Sequence, residues 1–213
     1  MQTRKARELI EGRPVLLVID IQKGGFMPRE TSGIPHMSGY AERMARARVL
    51  IDKARECAIP VIFIQEAHRR DMVDFGRELD GEEDVHCLEG DERTEIADQA
   101  GMGPDDYFIR KRRYSSFYGT DLEILLKGLG ADTLVLTGGL TDVCVHYTFV
   151  DAHQHDYFCR VAEDCVAGSG EEAHAAALTA MEYLQTGARR TSAEVLAAFE
   201  RYAERHSAIP KTA

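Results

Sequence analysis

The sequence has few of the features that mark secreted and membrane proteins. It contains no tryptophan, and its five cysteines are odd in number, scattered and never spaced as C-x-x-C. This usage favours free thiols in a reducing compartment over a disulfide framework. The first residues lack the apolar core of a signal peptide, and no later apolar run is long enough to cross a membrane. We therefore predict a cytoplasmic protein with no membrane partner.

Positive charge is also scarce. There are 26 Lys and Arg residues against 36 Asp and Glu residues, which gives a formal net charge of −10. Apart from the short run at residues 110–113, no basic stripe is available to neutralise phosphates, so we predict no nucleic-acid partner. Glycine motifs for nucleotides are missing as well, since no G-x-G-x-x-G follows the first apolar run and no G-x-x-x-x-G-K-[ST] occurs.

What the sequence does contain is a regular alternation of short apolar runs and helical patterns. The first run, Val15–Ile19, is continuously apolar, as expected of a parallel strand covered on both faces. We predict one doubly wound α/β domain over residues 1–213, with a mostly parallel central sheet of about six strands and helices on both faces. A short leading helix is expected over residues 3–11. The other predicted strands are 60–64, 106–110, 131–137, 157–162 and 188–190. The main predicted helices are 39–57, 120–130, one that follows a capping box at 169–172 and reaches 184, and 192–204.

Cys144 lies at the hinge of the most informative stretch, residues 131–164. A buried strand is followed by Gly138-Gly139, then by Thr141 and Asp142, which offer helix-starting oxygens. Cys144 would then lie in the first turn of a helix, where unpaired N–H groups and the macrodipole favour a thiolate. We therefore predict that Cys144 is a nucleophile, although a lone cysteine is more often a small core residue.

Two further residues stand at strand ends. Asp20 follows the first strand, where loss of solvent would raise the pKa of its carboxyl group and suit it to carry a proton. Lys111 follows the third strand. The ordinary alternatives are a turn aspartate that bonds its own backbone and a solvated surface lysine.

A metal site is a further option. Glu66, His68 and His86 combine carboxylate and imidazole ligands beyond the second strand. Because their spacing is loose, a hydrogen-bond network that orders the loop or a substrate explains them equally well.

Three segments occur in a specific order: Asp20-x-Gln22-x-x-x-Phe26, Lys111-x-x-x-Ser115-x-Phe117, and Gly138-x-x-Thr141-x-x-Cys144. Together they resemble the isochorismatase-like cysteine hydrolases, and the resemblance covers residues 15 to about 184. It implies a Rossmann-like fold and a catalytic triad of Asp20, Lys111 and Cys144. It also implies a cis peptide bond at Gly139-Leu140. Our hypothesis for the reaction is that the Cys144 thiolate attacks a carbonyl group, that the N–H groups of Leu140 and Cys144 form the oxyanion hole, and that no organic cofactor is required.

The cysteine points to the branch of this family that cleaves C–N bonds. The segment around Glu66, His68 and Arg69 resembles the ureide-cleaving members, whereas His86-Cys87-Leu88-Glu89-Gly90 resembles a nicotinamidase segment whose histidine binds metal. We expect a small amide or ureide substrate, a thioester intermediate, and a homodimer or homotetramer. A catalytically inactive small-molecule-binding protein and a vinyl-ether hydrolase are the alternatives. The residues expected to contact substrate are Gln22, Phe26, Glu66, His68, Arg69 and Tyr114.

Overall fold

The computed structural model describes residues 8–207, which contain a six-stranded sheet with the order β3-β2-β1-β4-β5-β6. Every pairing in the sheet is parallel. The predicted doubly wound fold is confirmed. The strands are Pro14–Ile19 (β1), Val61–Glu66 (β2), Tyr107–Lys111 (β3), Thr133–Gly139 (β4), Phe158–Ala167 (β5) and Arg189–Arg190 (β6).

Helices cover both faces of the sheet. Leu17 and Ile19 point to a core that includes Phe149 and Met181, whereas Leu16 and Val18 point to a core that includes Phe199. This alternation explains the unbroken apolar run of β1, because both of its faces are buried. The helices are Arg29–Ser32 (α1), Tyr40–Glu56 (α2), Leu122–Leu129 (α3), His146–Gln154 (α4), Glu171–Leu184 (α5) and Ser192–Ser207 (α6). Within residues 8–207, no helix is both long and apolar enough to span a bilayer.

Some predicted boundaries were wrong. Residues 3–7 of the predicted leading helix lie outside the described range, and residues 8–11 are not helical. Strand β2 extends to Glu66, and Lys111 is the last residue of β3 rather than the residue after it. Strand β5 continues past Asp164, because that carboxylate accepts hydrogen bonds from the backbone and the hydroxyl of Ser192 instead of ending the strand.

The order of the strands places one end of the sheet at a topological switch point. The chain moves from β1 outward to β3 on one side, then returns to β4 beside β1 and moves outward on the other side. In such sheets a crevice forms beyond the carboxyl ends of the strands where the direction reverses. The crevice here lies beyond β1 and β4, the strands that precede Asp20 and Cys144.

Gly138 allows β4 to approach β1 at this crevice. Its φ is +114°, and a Cβ atom built there would lie 1.9 Å from the carbonyl oxygen of Ile19. Both the backbone conformation and the close approach therefore require glycine. The contact fixes the start of the Cys144 turn relative to Asp20, the residue after Ile19.

We expect the substitution Gly138→Ala to lower the free energy of unfolding by more than about 3 kcal/mol, because backbone strain and the clash with Ile19 add together. The control is Gly128→Ala in α3, where a Cβ would meet nothing within 4 Å and which should be neutral or stabilising by up to about 1 kcal/mol. Urea unfolding followed by circular dichroism measures both. Equal stability of the two variants would contradict the assigned role of Gly138.

Candidate active site

Four side chains from four strand ends meet in the crevice. Asp20 follows β1, Glu66 ends β2, Lys111 ends β3, and Cys144 lies five residues after β4. The parallel order of β3, β2, β1 and β4 brings these ends to one edge of the sheet. The structure thus brings together the three residues that the resemblance identified as a triad, with Glu66 as a fourth member.

The amine of Lys111 is the centre of this cluster. Its Nζ lies 2.9 Å from Asp20 Oδ2 and 3.3 Å from Cys144 Sγ, and it also donates to Glu66 Oε2. The Cys144 thiol donates to Glu66 Oε2 at 3.4 Å. The Lys111 side chain is 0% exposed. The reading of Lys111 as a solvated surface charge is therefore wrong.

Asp20 is held by its neighbours in an unusual backbone conformation. Its φ is +50°, which is uncommon for a residue other than glycine. Its Oδ1 accepts a hydrogen bond from the backbone N–H of Glu66 at 2.8 Å. That bond orients the carboxyl group, so that Oδ2 faces Lys111. Ligand atoms of Asp20, Glu66 and Cys144 all lie within 4.8 Å of one another.

The two carboxyl groups differ in proton affinity. Burial raises the pKa of Asp20 to about 6, although Lys111 opposes the shift. Burial acts the same way on Glu66, but Lys111 and the neighbouring histidines outweigh it and hold the pKa of that carboxyl group well below its ordinary value. Asp20 is therefore the better proton acceptor near neutral pH, whereas Glu66 remains ionised as a partner for Lys111.

The predicted thiolate bias at Cys144 is wrong for this structure. Burial raises the pKa of Cys144 well above its ordinary value, and the charges of Glu66 and Asp20 add to the rise while Lys111 opposes it. The local backbone also differs from the prediction, because Thr141–Val145 forms a single turn of π-helix with no side-chain cap. Cys144 therefore rests as a thiol, and its proton must be removed before it can act as a nucleophile.

Side chains outside the crevice fix this turn. The Thr141 hydroxyl lies 2.9 Å from His174 Nδ1. Asp142 accepts hydrogen bonds from the N–H and hydroxyl of Ser169. Thr141 and Asp142 therefore tie the turn to the start of α5 instead of capping a helix. The peptide bond between Gly139 and Leu140 is cis, as the resemblance implied.

A cavity of about 140 Å³ opens onto this cluster. Asp20, Glu66, Leu140 and Cys144 form its inner wall. Gln22 also lines it, but its side-chain amide is bonded to backbone groups of Glu66 and Thr94. Other residues in the wall include Ser32, Ile34, His36, Tyr40, Glu83, Val85, His86, Leu88, Asp91, Arg93 and Tyr114.

Not every residue expected to contact substrate lines this cavity. Tyr114 does, and its hydroxyl donates to Glu83 at 3.1 Å. Phe26 instead packs edge-on against Tyr40. His68 lies behind the wall and stacks on Phe75, and Arg69 is exposed and pairs with Asp74. Phe26, His68 and Arg69 therefore do not line this cavity.

A model of the isochorismatase domain family matches residues 14–195. The chain belongs to the isochorismatase family. It is 30% identical over 189 residues to ureidoacrylate amidohydrolase RutB of Methylobacterium radiotolerans, in an alignment that covers 78% of this chain and 72% of the relative.

Two solved structures of isochorismatase-like proteins connect the fold with amide chemistry. The N-carbamoylsarcosine amidase of Thermoplasma acidophilum matches with a TM-score of 0.69 and 28% identity over 84% of this chain and 96% of its own. The pyrazinamidase of Pyrococcus horikoshii, solved in complex with zinc, matches with a TM-score of 0.73 and 26% identity over 84% of this chain and 99% of its own. The chain is thus an isochorismatase-family hydrolase with amidohydrolase relatives.

A second cluster, made of carboxylate and imidazole side chains, lies next to the cavity. Glu66, His68, Glu78 and His86 are all buried, and one ligand atom from each lies within 4.8 Å of the others. His86 Nε2 lies 2.9 Å from Glu66 Oε1, and His68 Nε2 lies 3.1 Å from Glu78 Oε2. Ligand atoms about 2.1 Å from a tetrahedral metal lie about 3.4 Å apart, so these separations are compatible with a shared cation.

The hydrogen bonding of this cluster also fits a metal. His86 Nδ1 lies 2.6 Å from the carbonyl oxygen of Asp84 and donates to it, which leaves Nε2 as the nitrogen that could bind a metal. Nε2 now donates to Glu66 Oε1 and would have to lose that proton to become a ligand. Both ring nitrogens of His68 and both carboxylate oxygens of Glu78 are buried without a hydrogen bond of good geometry. Buried polar atoms are rarely left in that state. The ordinary explanation is a protonated His68, whose pKa is raised to about 9 because Glu66 and Glu78 outweigh the effect of its burial.

Sequence reasoning missed two acidic residues of this region. Glu78 joins the second cluster, and Glu83 lines the cavity. Both lie in the irregular segment between β2 and β3, where no periodicity indicates which acidic side chains turn inward. The only available signal was their position between Glu66 and His86 in the sequence.

We expect the substitution Asp20→Asn to change how stability depends on pH. An unfolded aspartate has a pKa near 3.9, so a folded pKa of about 6 means that the folded state holds its proton longer. As the pH rises from about 4 to about 7, the free energy of unfolding of the wild type should therefore fall relative to that of the variant, by about 3 kcal/mol in total.

Urea unfolding of wild type and variant across this pH range measures the difference. The control is Asp121→Asn, an exposed carboxylate outside the crevice. A constant stability difference between wild type and Asp20→Asn would mean that Asp20 does not titrate in this window.

Proposed function

We propose that this chain is a cysteine-dependent hydrolase that cleaves a C–N bond of a small amide or ureide through a thioester intermediate. The observation that supports this most is the contact of the buried Lys111 amine with Cys144, Asp20 and Glu66 at the floor of one cavity. A thiol, a poised proton acceptor and a buried positive charge are the groups that nucleophilic acyl transfer requires. The ureide and amide chemistry named for the relatives agrees with this assignment.

The first half of the reaction forms the thioester. Asp20 takes the proton of Cys144, and the ammonium of Lys111 stabilises the resulting thiolate. The thiolate attacks the carbonyl carbon, and the backbone N–H groups of Leu140 and Cys144 bind the developing oxyanion. One such donor is typically worth about 10² to 10³ in rate. The C–N bond then breaks, and Asp20 returns its proton to the leaving nitrogen, which departs as ammonia or an amine.

The second half releases the acid. Water attacks the thioester carbonyl while Asp20 accepts a proton from it. The tetrahedral intermediate expels the Cys144 sulfur, which recovers the proton from Asp20. The Asp20 carboxyl group thus both accepts and donates a proton in each half of the reaction. Its pKa of about 6 lies close to neutral pH, where a group can do both. Glu66 keeps Lys111 in place throughout.

The buried second cluster is the proposed metal site. Glu66, His68, Glu78 and His86 would hold a divalent cation, which when bound would supply a Lewis acid beside the substrate cavity. The steps above use only groups of the chain itself. Glu66 would link the two clusters, because its Oε1 faces the histidines and its Oε2 faces Lys111 and Cys144.

The substitutions Cys144→Ser and Asp20→Ala should each lower kcat/KM by at least about 10³, because one removes the thiolate and the other its proton acceptor. The measurement is ammonia release over a panel of amides, N-carbamoyl amino acids and other ureides. The control is Cys159→Ser. The buried Cys159 thiol lies outside the crevice and donates to the carbonyl oxygen of Tyr157, and a serine hydroxyl group can make the same hydrogen bond. Unaltered turnover in Cys144→Ser with intact circular dichroism would rule out covalent catalysis.

Zinc in excess should raise the Tm of the wild type by about 5 to 10 °C, as expected for a ligand at about 100 times its Kd. The variants His68→Asn and Glu78→Gln should lose most of this rise, since each removes a ligand atom. His155→Asn, which alters a histidine outside the cluster, should keep it. If the purified protein retains no zinc and zinc leaves the Tm of the wild type unchanged, the proposed metal site is wrong. The positive charge of a protonated His68 would then balance the carboxylates of the cluster.

A further inference from the structure

Glu83 offers the cavity a hydrogen-bond acceptor that the proposed reaction does not use. It lies in the segment between β2 and β3, and its side chain is 12% exposed. Its Oε2 accepts from the hydroxyl of Tyr114 at 3.1 Å. Its Oε1 has no hydrogen-bond partner among residues 8–207. Tyr114 therefore orients Glu83, a residue of the cavity wall, and leaves one of its carboxylate oxygens without a partner.

Arg93 and Lys111, two basic groups at the cavity, already have acidic partners. Arg93 forms a two-oxygen contact with Asp91, in which its Nε lies 2.9 and 3.0 Å from the two carboxylate oxygens, and it also donates to the carbonyl of Thr31. The amine of Lys111 lies between Asp20 and Glu66.

His86 is the basic group that lies nearest to Glu83 among the cavity residues. Its Nε2 is 3.9 Å from Glu83 Oε2 but only 2.9 Å from Glu66 Oε1, to which it is hydrogen-bonded. His36, the remaining basic side chain of the described cavity wall, has no acidic partner, but its Nε2 lies 3.0 Å from the carbonyl oxygen of Met27. Each basic side chain of the described wall therefore already has a hydrogen-bond acceptor of its own. The wall offers an incoming N–H group the uncommitted oxygen of Glu83.

This balance has a direct consequence for substrate choice. Burial raises the pKa of Glu83, while His86 and the hydrogen bond from Tyr114 oppose that rise. The ionised form of Glu83 would repel a substrate carboxylate held within several ångströms in a cavity that excludes water, where the interaction is weakly screened. An amide or ammonium group in the same place could donate a hydrogen bond to the carboxylate, which is among the stronger kinds. A site built to bond an N–H group rejects analogues that lack it, because its own polar atom is then left unpaired.

We propose that Glu83 makes this cavity select amide or ureide substrates whose non-reacting end carries N–H donors, and disfavour substrates that end in a carboxylate. The inference rests on the proposed amide-hydrolase function. Within that function it names the substrate class. It also assigns Tyr114 the part of a positioning residue, because it acts on the substrate through Glu83.

The test compares two ureides that differ only at the far end, N-carbamoylglycinamide and N-carbamoylglycine. We expect wild-type kcat/KM to favour the amide by at least tenfold. Glu83→Gln should reduce that preference about tenfold, and Glu83→Lys should reduce or invert it, because the far end then meets a neutral or positive group. The matched control is Glu82→Gln, which makes the same change in the neighbouring, 90% exposed side chain and should keep the wild-type preference.

A second readout does not depend on turnover. Iodoacetamide and iodoacetate alkylate the same thiol but differ in charge, and mass spectrometry gives the rate for Cys144 with each, relative to free cysteine. The ratio of amide to acid rates should fall about tenfold from wild type to Glu83→Lys and stay constant in Glu82→Gln. For Tyr114→Phe we expect an intermediate ratio, since Glu83 keeps its charge but loses its fixed position.

The outcomes separate the two proposals. If ammonia is released or Cys144 is alkylated, but neither ratio responds to Glu83→Gln or Glu83→Lys, the assignment of Glu83 is wrong and the proposed function stands. If neither ureide nor any other amide is hydrolysed and Cys144 reacts with neither reagent, the proposed function fails and the inference fails with it. A preference for the carboxylate substrate in the wild type would also overturn the inference.

Discussion

The structure of the site depends on one buried ammonium group. Lys111 is the last residue of the edge strand β3, and its side chain is completely buried. Taking an ammonium group out of water costs several kcal/mol unless charged and polar partners replace the solvent. Asp20, Glu66 and Cys144 are those partners. Burial alone would lower the pKa of Lys111, but these three contacts raise it well above its ordinary value. The positive charge therefore persists, and it fixes the positions of the groups around it.

The same charge divides the work between two carboxyl groups. Glu66 contacts Lys111 and two histidines and stays ionised, whereas Asp20 keeps a pKa of about 6 and can exchange a proton. Glu66 also belongs to the buried cluster of His68, Glu78 and His86, so the groups of the proposed reaction and the proposed cation site share a side chain. A change in the charge of that second cluster would alter how tightly Glu66 holds Lys111. The two sites are thus coupled through a single carboxylate.

Sequence reasoning found the parts of the site that regular structure places. Asp20, Lys111 and Cys144 follow apolar runs with clear strand patterns, so their places near strand ends could be predicted. The family resemblance then indicated that the three act together. The protonation state of Cys144 could not be predicted from the sequence. It depends on the distances to Glu66 and Asp20 and on a π-helical turn that no sequence pattern indicates. Glu78 and Glu83 were missed for a related reason. They lie in a long segment without periodicity, where only tertiary packing decides which acidic side chain turns inward.

Covalent catalysis by the Cys144 sulfur is the central claim, and trapping the intermediate tests it most directly. The protein would be mixed with the amide that gives the fastest ammonia release, quenched in acid within milliseconds to seconds, and digested for mass spectrometry. Acyl transfer predicts that the peptide containing Cys144 gains the mass of the substrate acyl group, and that the adduct is removed by hydroxylamine. Rapid ammonia release under these conditions, with no adduct on that peptide at any quench time, would contradict it.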